Sequence, residues 1–367
     1  MKSKVKNIAV TLCFIIITCG FMLTNIIMQD GEFSYSERRR LAGVPSYSFE
    51  KLISGDLFEE YEKYFLDQFV FRDSFRSLKA MTSRYMFKQK DNNGLYILDG
   101  IIYKIEYPLN EKAILNAAQK LNEVYSKYLE DKNVSYSIIP DKNYFTASQK
   151  GYLTMDYERI LEIIKENVYN MNYIDLFSTL NIKDFYKTDI HWSQDKIIDI
   201  ADNILKEMGN DIKASDFKYE EKRLSPFYGS YYGQAALKLD PDTLVYLTNS
   251  IIENAVVFDP IDKEYSKVYM TDKFKGIDSY NLFLSGPKPV ISVTNPSYDT
   301  GKELIIFRDS FASSIAPLLI RGYSKITLVD LRYIDTDILG DYVDFSEAED
   351  ILFLYNTQVL NNSYMLK

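Results

Sequence analysis

Histidine is nearly missing from this chain: its 367 residues include one, His191, beside the one tryptophan, Trp192. A single imidazole cannot build a multi-histidine zinc centre, so that class of hydrolase is excluded and neither a metal nor another cofactor is expected. Any chemistry that needs a histidine must run through His191. Cysteine is almost as scarce. Cys13 and Cys19 both fall inside the apolar N-terminal run, so no disulfide staples the rest of the chain. Positive charge is not in excess either: the net charge of −9 offers no basic face for nucleic acid. Internal repeats and low-complexity tracts are absent.

What is present is apolar and aromatic. Hydrophobic residues make up 46% of the chain, with 31 Tyr and 22 Phe, enough for a sizeable core in one large or two modest domains. Lys2, Lys4 and Lys6 precede an uncharged run from about residue 8 to 28. That run is long enough to span a bilayer as a helix, and its basic flank places the N-terminus inside. With no clear small-x-small cleavage site it reads as an uncleaved signal anchor, residues 1–29, leaving 30–367 extracytoplasmic. The alternative is a lipoprotein signal at Cys19, for which Ile16, Ile17 and Thr18 make a poor lipobox.

Residues 30–50 are polar and turn-rich. Across 49–88 the spacing of Leu57, Phe58, Tyr61, Tyr64, Phe65, Phe75 and Leu78 predicts helix with these side chains facing inward, and 111–132 repeats the pattern with Ile114, Ala118, Leu121, Tyr125 and Tyr128. A strand is expected at 134–139, helix at about 156–170 and a strand at 173–176. A helix follows at roughly 194–208, with Ser193 as its N-cap and Gly209 closing it. Residues 212–300 read as a β-rich insertion. Alternation then resumes with strands at 303–307, 325–329 and 350–354 and a helix from Ser310, in which Pro317 is irregular. Strands separated by helices of this length imply an α/β fold: a parallel sheet flanked by helices.

Three segments carry polar groups suited to catalysis. In Asp189-Ile190-His191, two residues apart on an extended loop, the Asp can fix the imidazole tautomer while the other ring nitrogen faces a nucleophile; the alternative is a histidine packed in the core. In Arg308-Asp309-Ser310, a strand ends in a turn that presents a hydroxyl beside helix N-terminal N–H groups, which suit a developing oxyanion. The alternative is a serine that only caps the helix. Tyr355 and Asn356 end the last strand, where a parallel sheet places its ligand, and either can supply an oxyanion donor. Together they form a set of nucleophile, base, orienter and oxyanion donor.

The stretches TDIHWS (188–193), IIFRDSFASSIAPLL (305–319), LVDLRYID (328–335), IIPDKNYF (138–145) and the segment 36–75 resemble the DHHW family, relatives of the alginate-acetylation proteins AlgJ and AlgX. The resemblance covers most of the chain after the anchor. It implies an SGNH-hydrolase-like core that is circularly permuted, because Asp189 and His191 precede Ser310. It puts Asn356 near the family's Asn block and Asp330-Leu331-Arg332 near its Gly block. The chain has no glycine there, and the Leu331 N–H or the Tyr355 hydroxyl is the expected substitute. The activity implied is O-acetylation of an exported cell-surface or biofilm polysaccharide, possible substrates including a cellulose-like polymer. Ser310 would be the acylated nucleophile, His191 its base and Asp189 the orienter. A membrane-bound O-acyltransferase would be the partner that supplies acetyl. Lys142, Arg308, Trp192 and Tyr355 are candidates for lining the groove, and each has a simpler reading as a packing residue. Two other functions fit the same residues: a carbohydrate acetyl esterase, and a non-catalytic polysaccharide-binding assembly protein.

Overall fold

The computed structural model describes residues 2–296 and 300–367, which form two compact units: Met1–Asn93 with Tyr232–Leu239, and Gly94–Tyr231 with Asp240–Lys367.

The first unit begins with helix α1 (Lys2–Ile27), whose segment Lys4–Ile27 is long and apolar enough to cross a membrane and is mostly exposed. A short ribbon, β1 (Phe33–Ser34) and β2 (Arg39–Arg40), leads to helices α2 (Phe49–Ser54), α3 (Asp56–Gln68) and α4 (Arg72–Met81). The Ser48 hydroxyl accepts from Lys51 N and starts α2. Gly55, at φ +90°, ends it in a left-handed conformation that a side chain would disfavour. The predicted helical stretch is therefore three helices. The predicted inward face is also reversed. Leu57 is buried, but Phe58, Phe65, Phe75 and Leu78 are exposed. The covered side of α3 is the polar one, where Asp67 holds Arg39 at 2.5 Å and the Gln68 amide donates to Gly31 O and Ala42 O.

The second unit opens with a ribbon, β3 (Leu95–Leu98) and β4 (Ile101–Lys104), and helix α5 (Glu111–Tyr128). Then come β5 (Asn133–Ile139), α6 (Asn143–Lys150), α7 (Tyr157–Asn167), β6 (Asn172–Ile174) and α8 (Ile198–Glu207). Next are β7 (Glu220–Phe227), α9 (Ser230–Ala235, which runs into the first unit's segment), β8 (Asp242–Thr248), α10 (Ser250–Asn254), β9 (Val256–Asp259), β10 (Glu264–Lys267) and β11 (Val290–Thr294). The chain ends with β12 (Glu303–Arg308), α11 (Ala312–Leu319), β13 (Lys325–Val329), β14 (Asp350–Asn356) and α12 (Thr357–Leu360).

Eight strands form one sheet in the order β10-β9-β11-β13-β12-β14-β5-β6. The run from β13 to β6 is parallel, and β11, β9 and β10 join antiparallel at one edge. The last strand, β14, pairs with the first of the parallel set, β5, as the permuted order requires. Central strands are mostly apolar because both faces are covered. Leu304 and Ile306 point to a core that includes α8 and α11, whereas Ile305 and Phe307 point to one built with α5 and α7. The stripe predicted on α5 packs as expected, with Ile114, Ala118 and Leu121 buried.

One expectation changes. The helix predicted from 194 is a 3-10 turn, Gln194–Lys196, followed by α8, and the Ser193 hydroxyl donates to Asp195 Oδ1 instead of capping it. Residues 212–300 hold β7 to β11, and β9, β10 and β11 extend the central sheet.

Candidate active site

Strand β12 ends at Arg308, and two residues later Ser310 stands half-buried ahead of α11. Asp309 fixes this turn. Its Oδ1 accepts from Phe311 N at 2.9 Å and its Oδ2 from Asn356 N at 2.7 Å, tying the turn to the end of β14. Burial raises the Asp309 pKa, and these N–H groups together with the Arg332 charge oppose that rise.

The histidine arrives on a tight loop. Phe185 and Trp192 bridge antiparallel, Tyr186 N donates to His191 O at 3.0 Å, and Ser193 N donates to Asp184 O at 2.7 Å. Asp189 Oδ1 accepts from His191 N at 3.0 Å and lies 2.5 Å from His191 Nδ1, while Oδ2 accepts from Ser230 N at 2.6 Å. His191 Nε2 is 2.7 Å from Ser310 Oγ. An ionised carboxylate can only accept, so Nδ1 carries the proton and Nε2 is left as the acceptor for the serine hydroxyl. The three residues singled out in the sequence thus form one hydrogen-bonded chain, although His191 and Ser310 are 119 positions apart.

Residues that the sequence did not flag hold this chain in place. The Tyr280 ring stacks on the imidazole at 3.7 Å and 6°. Its hydroxyl donates to Ser314 Oγ at 2.8 Å, which also accepts from Trp192 Nε1 at 2.8 Å and donates to Phe311 O. One serine on α11 therefore clamps the histidine loop and the 212–300 segment to the nucleophile's helix. Gly229 permits a second clamp: a Cβ there would sit 2.2 Å from Thr188 O, where the turn between β7 and α9 crosses the start of the histidine loop. A glycine between aromatic residues was the only sequence signal for that crossing, and Tyr280 had none.

Lys142 supports the loop from below. It is buried, its Nζ donates to Tyr186 O and Lys187 O, and it lies 5.0 Å from the Tyr231 ring centre. Burial pulls its pKa down to about 7, against the carboxylates of Asp189, Asp242 and Asp141. Burial also pushes neighbouring Asp141 up to about 6, although Thr357, Asn143 N and Tyr157 donate to it.

The remaining candidates lie elsewhere in the packing. Asn356 does not aim its side chain at Ser310: its Nδ2 donates to Ile139 O at 3.1 Å and its Oδ1 accepts from Gln358 N, capping α12. Lys142, Trp192, Arg308 and Tyr355 are all buried, so none of them faces an open groove. Arg308 donates through Nη1 to Ser313 Oγ at 2.8 Å, and burial lowers its pKa. The expected Gly-block position is held by a bidentate pair, Arg332 on Asp330 at 2.8 and 2.6 Å.

The DHHW protein family model matches residues 147–329, which include Asp189, His191 and Ser310. Among solved structures, a DHHW family protein from Eubacterium siraeum is 20% identical, with a TM-score of 0.61 over 75% of this chain and 94% of its own. Bacillus cereus PatB1 with a sulfonyl adduct is 17% identical, with a TM-score of 0.56 over 72% of this chain and 97% of its own. The O-acetyltransferase domain of Pseudomonas putida AlgJ is more distant, at 10% identity and a TM-score of 0.45 over 73% and 92%. No curated protein matches the sequence. The fold and the family match agree with the resemblance read from the sequence: residues 147–329 carry the DHHW family's domain.

Proposed function

We propose that the chain is a serine O-acetyltransferase that acetylates an exported polysaccharide while held at the outer face of the cell membrane by α1. The observation that carries this reading is the continuous chain Ser310 Oγ, His191 Nε2, His191 Nδ1, Asp189 Oδ1. Ser310 Oγ attacks the carbonyl carbon of an acetyl donor as its proton passes to His191 Nε2. The tetrahedral adduct collapses, and the leaving oxygen takes that proton from the imidazolium, leaving acetyl-Ser310. A sugar hydroxyl then attacks the ester, gives its proton to His191, and Ser310 leaves with it. Asp189 balances the imidazolium charge in both halves. A general base in this position contributes roughly 10²–10⁴ in rate.

The sulfonyl adduct of Bacillus cereus PatB1 supports covalent chemistry on this fold. Within the reading, a membrane-bound O-acyltransferase delivers the acetyl group, and a neutral or mildly charged polymer receives it. The same triad serves an esterase if water, not sugar, resolves the acyl-enzyme.

The test is intact-protein mass spectrometry of the chain after exposure to an activated acetyl ester, with and without oligosaccharides. Acetylation at Ser310, lost in Ser310→Ala and discharged onto sugar faster than onto water, is the expected result. Discharge onto water alone overturns the transferase in favour of the esterase. A folded protein that never acylates points to a non-catalytic assembly role.

A further inference from the structure

Helices α3 and α4 leave one apolar side uncovered. Phe58 and Phe65 on α3 and Phe69 at its C-cap recur at helical spacing and are 66%, 57% and 37% exposed, and α4 continues the surface with Phe75 and Leu78. The other side of the pair is charged and occupied: Asp67 meets Arg39, and Glu37 meets Arg72 at 2.5 Å and Arg76 at 3.1 Å.

The apolar side is continuous with α1. Phe21 of α1 stacks on Phe69 at 5.6 Å and lies 5.8 Å from Phe75, and Asn25 Oδ1 accepts from Val70 N at 2.8 Å. This contact sets a depth. At about 1.5 Å per residue, Phe21 lies roughly 9 Å inside the Ile27 end of α1. A hydrocarbon core of about 30 Å needs about 20 residues, so a bilayer crossed by α1 up to Ile27 surrounds Phe21. The rings stacked on it then reach the acyl chains as well, within the roughly 5–10 Å to which interfacial helices sink. A groove of about 1140 Å³ between α1 and α3 follows the same gradient: Ile17, Phe21 and Met22 line its deep part, and Asn25, Asp30 and Gln68 lie toward the C-terminal end of α1.

We infer that α3 and α4 form an interfacial collar whose aromatic side is seated in the outer leaflet of the bilayer, with lipid acyl chains as its occupant. The inference rests on α1 being the anchor, and it adds that the anchored protein touches the membrane through a second, lateral surface. Such a collar fixes the helices that follow the span against the membrane plane.

The test uses the full chain carrying Cys13→Ser and Cys19→Ser in liposomes of phosphatidylcholine and phosphatidylglycerol. Single cysteines at Phe65, Leu78, Lys63 and Ile16 carry a fluorescent label, and the liposomes contain lipids with a quencher at a shallow or a deep position of the acyl chain. Shallow-quencher lipid is expected to quench the labels at 65 and 78 several-fold more than the label at exposed Lys63 on the charged side. Quenching at 65 and 78 no greater than at 63, with 16 still quenched by deep-quencher lipid, overturns the collar and leaves the anchor standing. A label at 16 that no lipid quenches overturns the anchor itself.

Discussion

Helices α3 and α5 carry the same sequence signature, apolar residues recurring every three or four positions, and end in opposite surroundings. On α5, Ile114, Ala118 and Leu121 are sealed against the central sheet. On α3, Phe58 and Phe65 face outward while the charged side is tied down by Arg39 and Gln68. Periodicity shows that a helix has two faces; it does not say which one the protein covers, because the covering element comes from elsewhere in the chain. The contrast extends to the two units. In the second, the groups assigned to chemistry are buried and interlocked; in the first, large aromatics stand exposed beside a helix apolar enough to cross a membrane.

The largest effect belongs in the second unit. His191→Ala should lower kcat/KM for an activated acetyl ester by about 10²–10⁴ with the circular dichroism spectrum unchanged, and full activity would mean that the buried chain is not the catalytic one. Lys142 offers a test by pH. Its folded pKa of about 7 lies below the ordinary 10.5, so between these values the unfolded chain holds the proton that the folded one has released. Stability of the native protein should therefore rise with pH across that window, and denaturant titrations of Lys142→Met should show the rise abolished. Leu121→Ala on α5 should cost about 2–5 kcal/mol in unfolding free energy. Tyr280→Leu removes the ring under the imidazole and should slow acylation by a few-fold to about tenfold, the worth of about 0.5–1.5 kcal/mol of aromatic stacking, while Tyr280→Phe keeps most of the rate. The smallest effect is the counterpart on α3. Phe65→Ala should shift unfolding of the detergent-solubilised chain by no more than about 0.5 kcal/mol. A loss equal to that of Leu121→Ala would erase the contrast between the two helices.

Much of the second unit was legible in advance. The strands at 303–307, 325–329 and 350–354 and the one at 134–139 were readable because a sheet buried on both faces needs continuous apolar runs. The strand-turn-helix around Ser310 and the Asp-x-His loop were readable because nucleophile and base need characteristic local settings. The rest of the site was not. Tyr280, Ser230 N, Gly229 and Ser314 act on His191 or its loop across long sequence separations, and each residue type is ordinary where it stands. Lys142, Trp192, Arg308 and Tyr355, expected along a groove, are buried, and Asn356, expected as an oxyanion donor, caps α12, because a polar side chain looks the same in sequence whether it faces a ligand or satisfies a buried neighbour.

The sequence by itself determined which atoms were available: one imidazole, no disulfide beyond the N-terminal run, a serine at a strand end, and a helix long enough for a bilayer. Only the tertiary structure decided that His191 Nε2 meets Ser310 Oγ and that Asp189 takes Nδ1. It also decided which face of α3 stays open. Composition and periodicity are local properties of the chain, whereas a hydrogen bond 2.7 Å long between residues 119 positions apart depends on the path of everything packed between them.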